Sequence, residues 1–112
     1  MIKRCLVQLI VLFLVYTVGF ANGQTLFEIV EPFAEQGDAE AQYNLGLLHV
    51  NGQGVIQDYV QAHKWVNITN ENGYANKKKF RDRLEKRMTP KQIEEAKKLA
   101  REWIDSHKNK YK

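Results

Sequence analysis

Apolar positions recur along this chain with the spacing of helices, and after the first twenty or so residues no stretch alternates as a strand would. Phe27, Val30, Phe33 and Ala34 fall three and four apart. That spacing predicts a helix over 26–36 with these four on one side, and Pro32, which removes a backbone donor, makes a kink or a late start the expectation. Gly37 ends it. Asp38 has the chemistry of an N-cap, and behind it Ala41, Leu45 and Leu48 at i, i+4 and i+7 form the core stripe of a second helix over 39–51. Gly46 weakens that helix by about 1 kcal/mol relative to alanine, which makes sense where another helix approaches closely. Gly52-Gln53-Gly54 supplies a turn suited to positive φ. A third helix over 58–71 begins at Asp58, puts Tyr59, Ala62, Trp65, Val66 and Thr69 on one face, and is closed by Gly73.

The remaining two helices are more polar. The first of them, over 76–88, offers only Phe80, Leu84 and Met88 for burial. The last has the clearest start, because Thr89-Pro90-Lys91-Gln92 is a capping box with proline at the first helical position. Ile93, Ala96, Ala100, Trp103 and Ile104 then give a stripe of three turns. The pattern predicts an all-α chain, a short α-solenoid of antiparallel helix hairpins. One hairpin cannot bury both its stripes alone, so hairpins stack, and stacks present surface to partners.

Composition changes the picture at the N-terminus. Lys3 and Arg4, an apolar run over 5–18, and the small residues of Gly19-Phe20-Ala21 form the three parts of a secretory signal peptide, 1–21. The run is shorter than the roughly 20 residues a spanning helix prefers. An uncleaved inner-membrane anchor is the alternative. The one cysteine, Cys5, lies inside that run, so a chain cleaved after Ala21 has no thiol chemistry and no disulfide to lean on. The expectation is an exported protein, periplasmic or secreted.

Charge is divided along the chain. Residues 22–73 hold one base, Lys64, against seven acids, whereas 74–112 hold fourteen bases and six acids. Halves of opposite sign attract, within a chain or head-to-tail between chains, so self-association is open; a solvated basic helix pair ending the stack is the plainer account.

Ala39, Ala41, Gln42, Leu45, Gly46, Gly52, Gly54, Val55, Asp58, Ala62, Trp65 and Gly73 stand in the register of the Sel-one-like repeat, a tetratricopeptide-related family with a longer inter-helix loop, and the chain resembles it over 33–103. It departs at His49, where the family usually has tyrosine, and at Thr69-Asn70, which replace an alanine pair. The resemblance implies a partial repeat helix over 22–37, one repeat over 38–73, a capping helix pair over 74–106 and a basic tail over 107–112. It also implies adaptor or scaffold binding in exported or envelope proteins. A cysteine-rich exported subgroup is linked to β-lactam binding or hydrolysis, but the cysteines that staple it are missing here, so that activity is not carried over.

Candidate chemistry is sparse. His49, His63 and His107 are too scattered for a metal set; His49 reads as filling the tyrosine slot and His63 as a surface residue. Neither a glycine-flanked nucleophile nor a facing carboxylate pair occurs, so no enzyme activity and no cofactor is expected, with an envelope hydrolase or β-lactam-binding protein as the alternative. The basic run from Lys77 is interrupted by Asp82 and Glu85 and has little aromatic interleaving, which argues against nucleic acid and leaves an anionic membrane surface as a further candidate. Tyr43, Leu47 and Val50 form a second apolar stripe on the 39–51 helix, away from Ala41, Leu45 and Leu48. Either the 26–36 and 76–88 helices cover it or it is the site for an unidentified protein partner.

Overall fold

The computed structural model describes residues 25–69 and 77–108, and within them every regular element is a helix. They run α1 Leu26–Glu35, α2 Ala39–Asn51, α3 Tyr59–Ile68, α4 Lys77–Glu85 and α5 Pro90–His107. The fold is thus all-α, with α1, α2 and α3 packed in sequence and α4 and α5 both resting on α3. The signal peptide, Gly73, Asn70 and the end of the basic tail lie outside the described residues. Among the described residues no helix is long and apolar enough to cross a membrane.

Local chemistry sets the boundaries. Thr25, Asp38, Asp58 and Thr89 each stand in extended backbone before a helix, and each accepts a hydrogen bond from an N–H of its first turn. At α5 the capping box is complete, with the Thr89 N–H donating to Gln92 Oε1 at 2.9 Å and the Gln92 N–H to Thr89 Oγ1 at 3.2 Å. Gly52 ends α2 at φ 63° and Gly54 follows at φ 73°, the left-handed region the turn requires. Asp58 N–H then donates to the His49 carbonyl at 2.9 Å and ties the loop back to α2. The helix α1 starts on time at Leu26 and runs through Pro32.

Two apolar clusters hold the helices together. Ala34, Ala41, Leu45, Leu48, Trp65, Ile68 and Ala100 form the first, with Phe27, Val30 and Trp103 packed against it. Ala62, Val66, Phe80, Leu84, Met88 and Ala96 form the second. Ala41, Leu45, Ala62 and Trp65 of the repeat register are therefore core, and the residue types of the register have reasons. Ala62 and Leu45 are fully buried. Gln42, 3 % exposed, donates from Nε2 to the Ala34 carbonyl at 3.1 Å, which satisfies an end of α1 that packing hides from water. Gly46 lets α3 come close: a Cβ there would lie 3.2 Å from Val66 Cγ2 and 3.3 Å from the Ala62 carbonyl oxygen.

Four expectations are corrected. Phe33 does not join Phe27, Val30 and Ala34 but is 54 % exposed, because the buried face of α1 follows i, i+3, i+7 and Phe33 lies about 100° round from Ala34. Ile104 is likewise 38 % exposed. The third helix stops at Ile68 and not near residue 71. There Thr69 is buried, and its hydroxyl donates to the Trp65 carbonyl at 2.8 Å, occupying an acceptor of the last turn. His63 is fully buried, the opposite of a surface residue, and both ring nitrogens are engaged: Nε2 with Glu85 Oε1 at 2.9 Å and Nδ1 with Asn67 Nδ2 at 2.7 Å.

His49 does fill the slot between helices, its ring edge-on to Phe27 with centroids 5.4 Å apart. Burial pushes its pKa below the ordinary histidine value, the Asp58 charge opposes the shift, and Lys64 adds to it. A histidine that binds its proton less readily folded than unfolded contributes stability above about pH 6.5, and that contribution is lost as pH falls from there through the folded-state value. Thermal melts between pH 7.5 and pH 5 should therefore show the wild-type chain losing more melting temperature than His49→Phe; equal losses would show that His49 does not set the dependence.

Candidate functional site

Where α2 ends and α3 begins, a groove of about 320 Å³ opens against α4. Its floor is apolar: Val50 from the last turn of α2, Tyr59 from the first of α3, and Phe80 and Leu84 from α4. Its rim is cationic, with Arg83, Lys86 and Arg87 all exposed. Helical periodicity puts Arg83 beside the inward-pointing Phe80 and Leu84, and the turn that follows α4, closed by the Arg87 N–H donating to the Leu84 carbonyl at 2.9 Å, carries Lys86 and Arg87 to the same rim. Gln57 braces the far wall, donating from Nε2 to the Val50 carbonyl at 2.8 Å and to Tyr59 Oη at 3.2 Å.

The predicted partner stripe leads into this groove. Tyr43, Leu47 and Val50 are half-buried against the second cluster, and Tyr43 meets Phe80 ring to ring at 5.6 Å. Of the three, Val50 lines the groove, Tyr43 stands behind Phe80, and Leu47 packs against the second cluster. What the sequence separated, an apolar stripe and a basic run, the packing of α4 brings together.

Not all of the basic run belongs to this rim. Lys77 is only 6 % exposed, and its ammonium donates to the carbonyls of Thr69 and Asn67. A cation on the last carbonyls of α3 is favourable to the helix dipole. Lys77 is a fastener between α3 and α4, and no local pattern marks it off from Lys78 and Lys79.

A second surface lies on α1. Leu26, Ile29 and Phe33 are 59 %, 49 % and 54 % exposed. Ile29 and Phe33 border a shallow cleft of about 190 Å³ that they share with Asp38 and Glu40 at the start of α2. Residues 25–40 carry five acids, Glu28, Glu31, Glu35, Asp38 and Glu40, and neither lysine nor arginine.

Catalytic geometry is thin among the described residues. No group of three or more His, Cys, Asp or Glu is placed to hold a metal ion there. The His63–Glu85 contact has the look of an acid–base pair, but the second ring nitrogen is already bonded to Asn67 and the ring is sealed from solvent. That arrangement locks a helix contact and leaves no nitrogen for a substrate proton.

Comparison with known proteins agrees with this architecture. Residues 39–74 match the family model described as Sel1 repeat. Among solved structures the chain is similar to c5321, described as a protective antigen present in uropathogenic Escherichia coli strains displaying an SLR fold. The two are 32% identical with a TM-score of 0.62 over 74% of this chain and 20% of that one. The chain thus spans about a fifth of the length of that relative. No curated protein matches it in sequence. The chain carries a Sel1-like repeat on an SLR-type helical fold, and repeats of this kind mediate protein–protein interaction.

Proposed function

We propose that the chain is an interaction adaptor or modulator of the periplasm or envelope, and that the groove beside α4 receives an acidic segment of a partner protein bearing an apolar anchor. The observation that carries this reading is the groove itself, an apolar floor ringed by Arg83, Lys86 and Arg87. Anchors that become fully desolvated supply most of the affinity in such a site, while rim charges select sign and speed encounter. Tyr43 contributes from behind by holding Phe80 in place, and Leu47 by packing against the second cluster; Val50 touches the partner.

Peptide selection on the full-length chain tests this. The expected winners combine Asp or Glu with Leu, Ile or Phe, and Arg83→Glu with Arg87→Glu loses them. Because both arginines are exposed, the melting temperature should barely move; exposed substitutions are usually worth within about 0.5 kcal/mol. If the charge-reversed variant selects the same peptides, or neither chain selects any, the groove is not the site. Salt-sensitive sedimentation with anionic vesicles, unaffected by selected peptides, would point instead to the membrane surface.

A further inference from the structure

The geometry points to one occupant for the groove: the exposed apolar ridge of α1, with the acids beside it at the start of α2, of a second copy of this chain, docked head-to-tail. This rests on the groove being a binding site and names what enters it. Leu26, Ile29 and Phe33 form an apolar ridge at i, i+3 and i+7, about 10 Å long at 1.5 Å per residue. Asp38 and Glu40 flank it at the start of α2, lining the same cleft as Ile29 and Phe33. The groove has the complementary form, with Phe80 and Leu84 in its floor and Arg83, Lys86 and Arg87 around it.

Within one molecule the two surfaces cannot meet. Phe27, Val30 and Ala34 already fix α1 against the first cluster, Gln42 bonds its last turn, and Glu35 accepts a hydrogen bond from Trp103 Nε1 at 2.8 Å. With one side of α1 so held, its ridge faces outward, while the groove is built from the opposite end of α2, the start of α3, and α4. The two surfaces share no residue. Docking ridge into groove therefore joins different surfaces of two copies, a heterologous contact, and each added copy carries a free ridge or a free groove forward. Association grows with concentration and does not stop at a dimer unless a ring closes.

Crossed charge reversal on full-length chains, read by energy transfer between donor- and acceptor-labelled copies, tests this. Glu40→Lys with Asn44→Lys, both lining the cleft beside the ridge, spoils the ridge, and Arg83→Glu with Arg87→Glu spoils the groove; Asp38 is left alone because it caps α2. Each double variant should self-associate about 10–100-fold more weakly than wild type, the scale of like charges placed across an interface. An equimolar mixture of the two should recover association and run past a pair, because a native ridge meets a native groove at one contact and a reversed ridge meets a reversed groove at the next. The fourfold variant, reversed on both sides, should self-associate again. A mixture as inert as its parts overturns the proposal, as does a wild type that stays monomeric, or association indifferent to all four substitutions, which is what contact through residues 1–21 would give. In the first two cases, peptide selection through Arg83 and Arg87 would leave the partner-binding reading standing and remove only the second copy as the partner.

Discussion

Trp65→Ala abolishes the cooperative melt or drops its midpoint by more than about 12 °C. The indole is 3 % exposed at the centre of the first cluster and meets Trp103 edge to face at 5.8 Å, so one ring joins α3 to α5. Truncating a buried tryptophan costs about 3–5 kcal/mol, and each kcal/mol moves the midpoint of a domain this size by about 4–8 °C. Circular dichroism melts of the full chain check it. Trp65→Phe, which keeps a ring in the gap, should fall between the two. A midpoint within a few degrees of wild type would mean that Trp65 does not hold these helices together.

Gly46→Val is expected to be the second most damaging change, and for the opposite reason. A Cβ alone at this position already sits 3.2 Å from Val66 Cγ2 and 3.3 Å from a backbone oxygen of Ala62, with Phe80 Cε1 at 3.8 Å. The carbonyl belongs to a helix and cannot swing aside, so the added methyls must push α2 and α3 apart, a cost of about 1–3 kcal/mol or more. Gly46→Ala is the informative control: its gain of about 1 kcal/mol in helix propensity is set against the same tight contacts, and the net should be small. Because Phe80 floors the groove, Gly46→Val should also weaken peptide binding at temperatures where the protein is still folded. Unchanged affinity with a lowered melting temperature would show that the α2–α3 spacing does not reach the groove.

Residues near in sequence made most of the fold legible. The bounds of α2 were readable because Asp38 and Gly52 mark both ends with side-chain and backbone chemistry of their own, and those of α5 began where the Thr89–Gln92 box says they must. Leu45, Ala62 and Trp65 announced themselves through spacing. What was hidden depended on partners far along the chain. His63 sits next to Lys64 and looks solvated; Asn67 four residues on satisfies one ring nitrogen, but the partner of the other is Glu85, 22 residues on. Lys77 reads as one of three identical lysines until the carbonyls of Thr69 and Asn67 are placed around it. Phe33 fits a helical stripe by spacing alone, and which of two overlapping stripes is buried was settled by α2, through Ala41 and Gln42.

The groove shows the same limit. Its floor draws on α2, α3 and α4, and its charges on a run that looked like ordinary surface. The apolar stripe at Tyr43, Leu47 and Val50 was visible, as was the basic character of 77–87, but their meeting is a product of how α4 lies on α3 and α2. No local signal would have joined Val50 to Arg83.

The hydrogen bond from Trp103 to Glu35 spans 68 positions of sequence, and His107, stacked on Trp103 at 3.8 Å, approaches the same carboxylate at 3.8 Å. Open repeat arrays unzip from their ends because each unit leans only on its neighbours. Here the final helix clasps the opening one, so the termini of the described unit are expected to exchange amide hydrogens at nearly the rate of its middle, and an additional hairpin spliced between α3 and α4 would tear that clasp open.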